Sequence, residues 1–198
     1  MTKLTTEYLI APMSAARGLT AQLTGLDHHG QRQVLDVVEE RPLTIFLNSQ
    51  EIVTAMTIGD YPEYLALGFL RNQGMLQADD QITDISFDEE LETIVVRTAR
   101  TTDYESKLQK KTRTSGCAVG TVFGDMMEGL EKVRLPRSDI KTSWLYTLAA
   151  AINRTPSLYL KAGAIHGTVL CHQDQPLVYM EDVGRHNAVD KVAGWMLS

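Results

Sequence analysis

The chain has 198 residues, of which 43% are hydrophobic and 22% charged, an ordinary composition for one globular domain or two small ones. Its net charge of −6 argues against general nucleic-acid binding, because a basic surface supplies most of that affinity. No apolar run reaches about 18 residues, so we expect no membrane-spanning helix. The two cysteines form no disulfide framework, and we expect no secretory leader. A cytoplasmic protein fits these features best.

Residues 1–32 are polar and weakly patterned, and the sequence predicts an N-terminal tail there. Adjacent histidines, His28 and His29, can bind metal. No further ligand stands at helical or hairpin spacing from them. A solvated turn or tail is therefore the simpler interpretation.

Residues 33–108 are predicted to form a small α+β domain. Within it Leu43, Ile45 and Leu47 occupy alternate positions, and an Asn-Ser-Gln turn leads to a second run over residues 52–56. This pattern is typical of a β-hairpin.

A helix should follow that hairpin. Asp60 precedes Pro62, which is a helix-start signal, and Gly74 is placed to end the helix. Residues 82–87 and 93–98 then form a second predicted hairpin. The unit therefore has a predicted β-β-α-β-β order.

Residues 109–198 are predicted to form an α/β domain. A plausible helix covers residues 122–133, and Ser138 should cap a clearer helix that runs to about Asn153. Apolar residues at helical spacing predict that the second helix buries one face, formed by Trp144, Leu145, Leu148, Ala149 and Ile152.

The last part of the chain reads as two strands and a helix. Residues 164–171 and 177–180 are the strands, separated by a Gln-Asp-Gln turn. The final helix should begin near Arg185, at a sharp strand-to-helix junction, and point Ala188 and Val192 inward together with Trp195.

Cys117 is the first candidate for chemistry. It lies between Gly116 and Gly120 in TRTSGCAVGT, a stretch without helical or strand periodicity that predicts an accessible loop. A thiolate in such a loop can act as a nucleophile or persulfide carrier, because glycine N–H groups stabilise the negative charge. The alternative is an incidental loop cysteine. For Cys171, in an apolar strand, core packing is the favoured interpretation.

Three basic residues precede this cysteine, namely Lys110, Lys111 and Arg113. They belong either to a solvated connector over residues 100–113 or to a basic approach that favours the thiolate and attracts anions.

A second cluster lies at the predicted start of the final helix. It contains Glu181, Asp182, Gly184, Arg185, His186, Asn187, Asp190 and Lys191. A helix N-terminus suits phosphate, Arg185 and Lys191 add positive charge, and Asn187 or Asp190 could hydrogen-bond a base or ribose. The alternative is a structural capping network. His166 is either an ordinary core histidine or a wall of the same pocket.

A zinc deaminase or hydrolase is a further hypothesis for the function. Zinc deaminases use His-x-Glu with Pro-Cys-x-x-Cys. Here Gly167 and Thr168 follow His166, and Gly120 stands three residues after Cys117, so the catalytic Glu and the second sulfur are both missing. We therefore predict that side chains hold no metal.

Three stretches resemble the formate dehydrogenase accessory sulfurtransferases, the FdhD family. They are RPLTIFLNSQ through MTIGDYPEYLALGFLRNQG, then SGCAVGT, and then GAIHGTV through EDVGRHNAVDKVAGW, spanning about residues 38–197. The resemblance implies a small N-terminal unit followed by a cytidine-deaminase-like α/β domain without the zinc site. Homodimers are typical of this family.

The resemblance also implies a function. Such a protein takes a persulfide from a cysteine desulfurase and sulfurates the molybdenum (or tungsten) bis(guanine dinucleotide) cofactor that formate dehydrogenase receives. Cys117 would be the sulfur acceptor, and a guanine nucleotide could mimic the cofactor. The implied cofactor-binding residues are His166, Asp182, Gly184, Arg185, His186, Asn187, Asp190 and Lys191. The alternative is a chaperone that holds the cofactor without carrying sulfur.

Two departures from the family pattern bear on these expectations. Gly120 stands where many members have a second cysteine, so a two-cysteine relay in this loop is impossible. Members also usually continue well beyond the final helix seen here. The resemblance therefore implies that the α/β domain is C-terminally short.

Overall fold

The structure is a computed structural model and describes residues 8–14, 16, 18–77, 79–100, 111–113, 121–123 and 133–198. It is a mixed α/β protein, which confirms the predicted α/β (α+β) class. The cytidine-deaminase likeness of the second part and the domain boundaries stay predictions. In chain order the described elements are β1 Thr20–Leu26, β2 Arg32–Val38, β3 Arg41–Leu47, β4 Gln50–Thr57, α1 Pro62–Asn72, β5 Ile82–Asp88, β6 Thr93–Thr98, β7 Lys111–Arg113, β8 Thr121–Phe123, α2 Thr142–Ile152, α3 Leu158–Ala162, β9 His166–His172, β10 Gln175–Asp182 and α4 Arg185–Trp195.

An antiparallel hairpin of β1 and β2 precedes the small sheet, with Thr20 opposite Val38 and Leu26 opposite Arg32. For Thr20–Leu26 the predicted tail is thus corrected to a strand. The pattern hid it because apolar side chains on both faces of the hairpin are exposed, so the strand has no buried face to create an alternation. Asp27 closes the turn by accepting the backbone N–H groups of His29 and Gln31, both at 2.9 Å.

The predicted β-β-α-β-β unit is present. Its four strands are ordered β4-β3-β6-β5, with β3 and β6 parallel and the other two pairs antiparallel. Leu43, Ile45 and Leu47 are buried against α1, as their alternation predicted. Helix α1 ends before Gly74, whose φ of 67° is in the left-handed region.

Strands β7 and β8 pair antiparallel, with Lys111 opposite Phe123 and Arg113 opposite Thr121. The helix predicted over residues 122–133 is therefore wrong at its start, where Thr-Val-Phe has the β-branched and aromatic character of a strand, and Val133 is not helical either. The remainder of that helix lies outside the described residues. The ends of the predicted linker and loop, at 111–113 and 121, are likewise strands.

Helix α2 begins at Thr142, after an N-cap at Lys141, rather than at the predicted Ser138. It contains no fully buried residue: Trp144, Leu148 and Ile152 of the predicted face are half-buried, whereas Ala149 is exposed and Leu145 is 56% exposed. The helical spacing was read correctly, but the described residues cover that face only in part. Trp144 is half-buried, with the Lys141 ammonium 5.4 Å from its ring centroid.

The β9–β10 hairpin carries the final helix, α4, which buries Ala188 and Val192 as predicted. Residues near the beginning of the described chain reach this hairpin, because Ile10 forms a parallel bridge with Val178. Helices α1 and α4 approach closely where Gly68 and Gly194 face the opposite backbone. The last helix is thereby held against both the hairpin and the small sheet's helix.

Candidate functional site

The Lys191 side chain is the centre of the predicted cluster, and it is fully buried. Its ammonium donates to a carboxylate oxygen of Asp60, to Asp182 Oδ2 at 2.5 Å and to the Glu181 carbonyl oxygen at 3.0 Å. A lysine ammonium has three protons, and all three are used inside the protein. Lys191 therefore neutralises buried carboxylates from two parts of the chain.

Asp182, also fully buried, is equally well satisfied. Its Oδ2 accepts from Lys191 and from the Thr57 hydroxyl at 2.5 Å. Its Oδ1 accepts from the Gly184 backbone N–H at 3.0 Å and from Asn187 Nδ2 at 2.9 Å. Four donors on one carboxylate account for its ordinary accepting capacity and fix the turn that begins α4.

Asp60 does not cap α1, although its place before Pro62 predicted a helix start. The N-cap position falls on Tyr61, which has a left-handed φ of 47° and no side-chain cap bond. Asp60 instead turns inward to Lys191, with Gly59 at φ 83° on its other side. Burial raises the pKa of Asp60, and the neighbouring Lys191 opposes that rise.

Two further carboxylates of this region are buried. Glu181 accepts the backbone N–H groups of Leu158 at 2.8 Å and Tyr159 at 3.0 Å, so it holds the start of α3. Burial nevertheless raises the pKa of Glu181. Asp190 accepts from Asn72 Nδ2 at 2.6 Å, and burial raises its pKa to about 6.

The remaining members of the predicted set face outward. Arg185 and His186, in the first turn of α4, are exposed, and Gly184 just before them is half-buried. His166 is exposed as well, so the core interpretation of this histidine is wrong. Its backbone lies opposite Asp182 in the β9–β10 pairing. The predicted cluster thus divides into an exposed basic part and an inner part, formed by the buried Asp182, Asp190 and Lys191 and the half-buried Asn187.

The predicted sulfur site is placed only by its flanks. Cys117 and Lys110 lie outside the described residues, as do the side chains of Lys111 and Arg113. Since β7 and β8 pair antiparallel, Cys117 belongs to the seven-residue connection, 114–120, between two paired strands. Cys171 is half-buried in β9, and burial raises the pKa of its thiol, which disfavours the reactive thiolate.

Sequence reasoning missed Thr57 and Asn72, two residues of the buried network. It singled out Asp60 only as a helix-start residue and missed its contact with Lys191. These three residues lie 118 to 131 positions from their partners, so no local spacing could reveal the contacts. The available signal in the sequence was an Asp at a predicted helix start, Asp60, together with a Lys in the middle of an amphipathic helix, Lys191. It indicates a buried ion pair only once α1 and α4 are known to pack together.

Within the described ranges, no three side chains among His, Cys, Asp and Glu are grouped so that they could hold a metal ion. The absence of a side-chain metal site from the whole chain stays a prediction, since Cys117 is outside those ranges. None of the described helices is long and apolar enough to cross a membrane.

The raised pKa of Asp190 predicts a pH-dependent stability. A carboxyl whose folded pKa of about 6 exceeds its ordinary 3.8 stabilises the fold when protonated, and this contribution is lost as pH rises through 6. We expect Asp190→Asn to raise the melting temperature at pH 7.5 but not at pH 4. The difference in unfolding free energy should be up to about 3 kcal/mol.

The measurement is thermal unfolding of both proteins from pH 4 to pH 8. Asp84→Asn, on the exposed side of β5, is the control and should follow the wild type. A variant curve parallel to that of the wild type would contradict the assignment of this pH dependence to Asp190.

Comparisons with known proteins show the family of this chain and the overall fold. The model of the FdhD/NarQ family matches residues 38–198, so the chain belongs to the FdhD/NarQ family. A crystal structure of a protein assigned as a formate dehydrogenase accessory protein, from Desulfotalea psychrophila, is similar with a TM-score of 0.65 at 26% identity. The match covers 90% of this chain and 67% of that one.

Curated relatives carry the name sulfur carrier protein FdhD. The Bacillus pumilus protein is 28% identical over 164 residues, which is 82% of this chain and 63% of the relative. The Bacillus subtilis protein is 29% identical over 164 residues, 81% of this chain and 62% of the relative. The chain therefore spans somewhat less than two thirds of the length of these relatives.

Proposed function

We propose that this protein is a sulfur carrier in formate dehydrogenase maturation, with Cys117 as the residue that holds the sulfur. The proposal rests above all on one observation: a family whose curated members are named sulfur carriers includes this chain, and the chain keeps a glycine-flanked cysteine between two paired strands. Cys171 is the poorer candidate, because its half-buried thiol has a raised pKa.

In the proposed loading step, the Cys117 thiolate attacks the terminal sulfur of a persulfide on a cysteine desulfurase. A sulfur–sulfur bond forms at Cys117, the desulfurase sulfur–sulfur bond breaks, and the desulfurase cysteine leaves as a thiolate. Electrons balance without an external oxidant, because the transferred sulfur keeps its oxidation state. The basic residues Lys110, Lys111 and Arg113 would favour the thiolate.

The proposed recipient is the molybdenum or tungsten centre of a bis(guanine dinucleotide) cofactor, which here is a substrate. The sulfur leaves Cys117 and joins the metal, the sulfur–sulfur bond breaks, and the metal supplies the two electrons that make the sulfur a sulfide. Cys117 returns to the thiolate. With Gly120 in place of a second cysteine, one thiol performs both steps.

At the proposed cofactor site the exposed and buried residues have different tasks. Arg185, His186 and His166 are exposed around the first turn of α4, where the unpaired N–H groups of a helix attract phosphate. The inner set, Asp182, Asp190 and Lys191 with the half-buried Asn187, would fix that turn, since the donors of Lys191 are already engaged. Gly184 would allow close approach of the ligand to the backbone.

The partners in this proposal are a cysteine desulfurase, formate dehydrogenase and a second copy of the chain, in the cytoplasm. The test is mass spectrometry after incubation with a cysteine desulfurase and cysteine. We expect a gain of one sulfur, about 32 Da, on Cys117, no gain in Cys117→Ser, and a normal gain in the control Cys171→Ser. The Cys117→Ser variant should also lose formate dehydrogenase activation.

The absence of a second cysteine at Gly120 favours one alternative, a cofactor-holding chaperone that carries no sulfur. Binding of guanosine diphosphate with no sulfur on Cys117, and full formate dehydrogenase activation by Cys117→Ser, would establish that alternative and overturn the carrier.

A further inference from the structure

The start of α4 is fixed from inside the protein rather than by its own cap. Its N-cap residue, Gly184, has no side chain, and its backbone N–H is bound by Asp182 at 3.0 Å. Asn187, one turn into the helix, also donates to Asp182, at 2.9 Å. The position of the exposed residues Arg185 and His186 therefore depends on where the Asp182 carboxylate is held.

Residues 56–60, which are the end of β4 and the segment just after it, hold that carboxylate from the other side. The Thr57 hydroxyl donates to Asp182 Oδ2 at 2.5 Å, and the Met56 carbonyl accepts from Asn187 Nδ2 at 2.7 Å. Asp60 binds Lys191, which in turn binds Asp182. Three contacts from residues 56–60 thus reach Asp182, at the end of β10, and two residues in the first two turns of α4.

The backbone of this segment is shaped for the task. Gly59 and Tyr61, at φ 83° and 47°, flank Asp60, and a tyrosine rarely adopts a left-handed conformation. Asp60 is thereby turned from the start of α1 toward Lys191, and its side chain is 4% exposed. With Asp60 turned toward α4, helix α1 has no side-chain N-cap and Tyr61 is held in a left-handed conformation.

We propose that Asp60 and Thr57 are positioning residues of the ligand site, acting through Lys191 and Asp182 to set the place of Arg185 and His186. This inference rests on the proposed function, because it takes the first turn of α4 to be the guanine-nucleotide end of the cofactor site. Both residues are buried, so in this proposal neither touches the ligand itself.

The test measures guanosine diphosphate binding by titration calorimetry with the whole chain. Asp60→Asn keeps the side chain's shape and leaves Lys191 and Asp182 as a one-to-one pair, so the fold should survive. Thr57→Val removes one hydroxyl at nearly constant volume and gives a second, independent measurement. We expect each to weaken binding about tenfold, the order typical of losing an outer-shell partner.

Asp84→Asn is the matched control, because it also removes an aspartate from an ion pair, here with Arg97 on the exposed β5–β6 hairpin. It should leave the dissociation constant unchanged. Melting temperatures, measured alongside, should show that each variant is folded at the binding temperature.

A further readout separates positioning from a general structural role. If Asp60 acts by placing Arg185, then Asp60→Asn should cost less than about threefold in an Arg185→Ala background, because the group it places is gone. The same loss in both backgrounds would overturn the positioning role. Unchanged guanosine diphosphate binding by both Asp60→Asn and Thr57→Val would also overturn the positioning role. In that case the ligand site at α4 would be unaffected. If the wild type binds no guanosine diphosphate, the ligand site fails first and this inference with it.

Discussion

Lys191→Met should lower the free energy of unfolding by about 3–5 kcal/mol, the usual cost of removing one partner from a buried ion pair. The lysine is fully buried, and it is the counter-charge for both Asp60 and Asp182. Methionine fills similar space but leaves the two carboxylates without it. For a domain of this size such a loss corresponds to about 10 °C or more in melting temperature.

Chemical denaturation of wild type and variant at pH 7.5 measures the effect. Arg185→Met provides the control, since it removes a cation from the same helix at an exposed position and should change stability by less than about 0.5 kcal/mol. Adding Asp60→Asn to the Lys191 variant should restore part of the loss, because one of the stranded charges is removed. Equal stability of the lysine variant and the wild type would show that the buried network contributes nothing.

Gly194→Ala should destabilise the protein by about 3 kcal/mol, although alanine normally stabilises a helix interior by about 1 kcal/mol relative to glycine. A Cβ at this position would lie 2.6 Å from the Tyr64 carbonyl carbon and 2.8 Å from its Cα. Those are backbone atoms of α1 and cannot rotate away, so the two helices would have to separate.

The partner glycine gives an independent check. A Cβ on Gly68 would lie 2.7 Å from the Gly194 backbone nitrogen, so Gly68→Ala should have an effect of the same order. Gly25→Ala is the control, because nothing lies within 4 Å of its Cβ position. Thermal unfolding of the three variants decides the matter. Melting temperatures for the helix variants at or above that of the wild type would refute the close packing of α1 on α4.

Local patterns predicted the elements that bury a clear face. The alternation of Leu43, Ile45 and Leu47 found β3, and the apolar spacing of Ala188 and Val192 found the inner side of α4. Patterns failed where the described residues cover the element only in part. The hairpin of β1 and β2 has exposed apolar residues on both faces, and α2 has an apolar face with no buried residue.

The sequence predicted where the polar residues of the candidate site lie, but not which hydrogen bonds and ion pairs they form. The density of polar residues after β10 indicated the place, and the binding roles given to its members remain predictions. Whether a lysine meets solvent or two carboxylates depends on residues far away in sequence, such as Asp60, and on helix packing that no local pattern encodes. In the sequence the polar residues of this cluster look alike, but in the structure some are exposed and others are buried.

The buried network also sets an order of events during synthesis. Asp60 lies 131 positions before Lys191, and Thr57 lies 125 positions before Asp182. Until the last helix leaves the ribosome, the Asp60 carboxylate has no counter-charge and the face of α1 that receives α4 stays open to water. Contacts of such long range slow folding, because the intervening chain must be closed into a loop before they form. We therefore expect the nascent small sheet to remain a loose intermediate until α4 docks on α1, which should be a late step in folding.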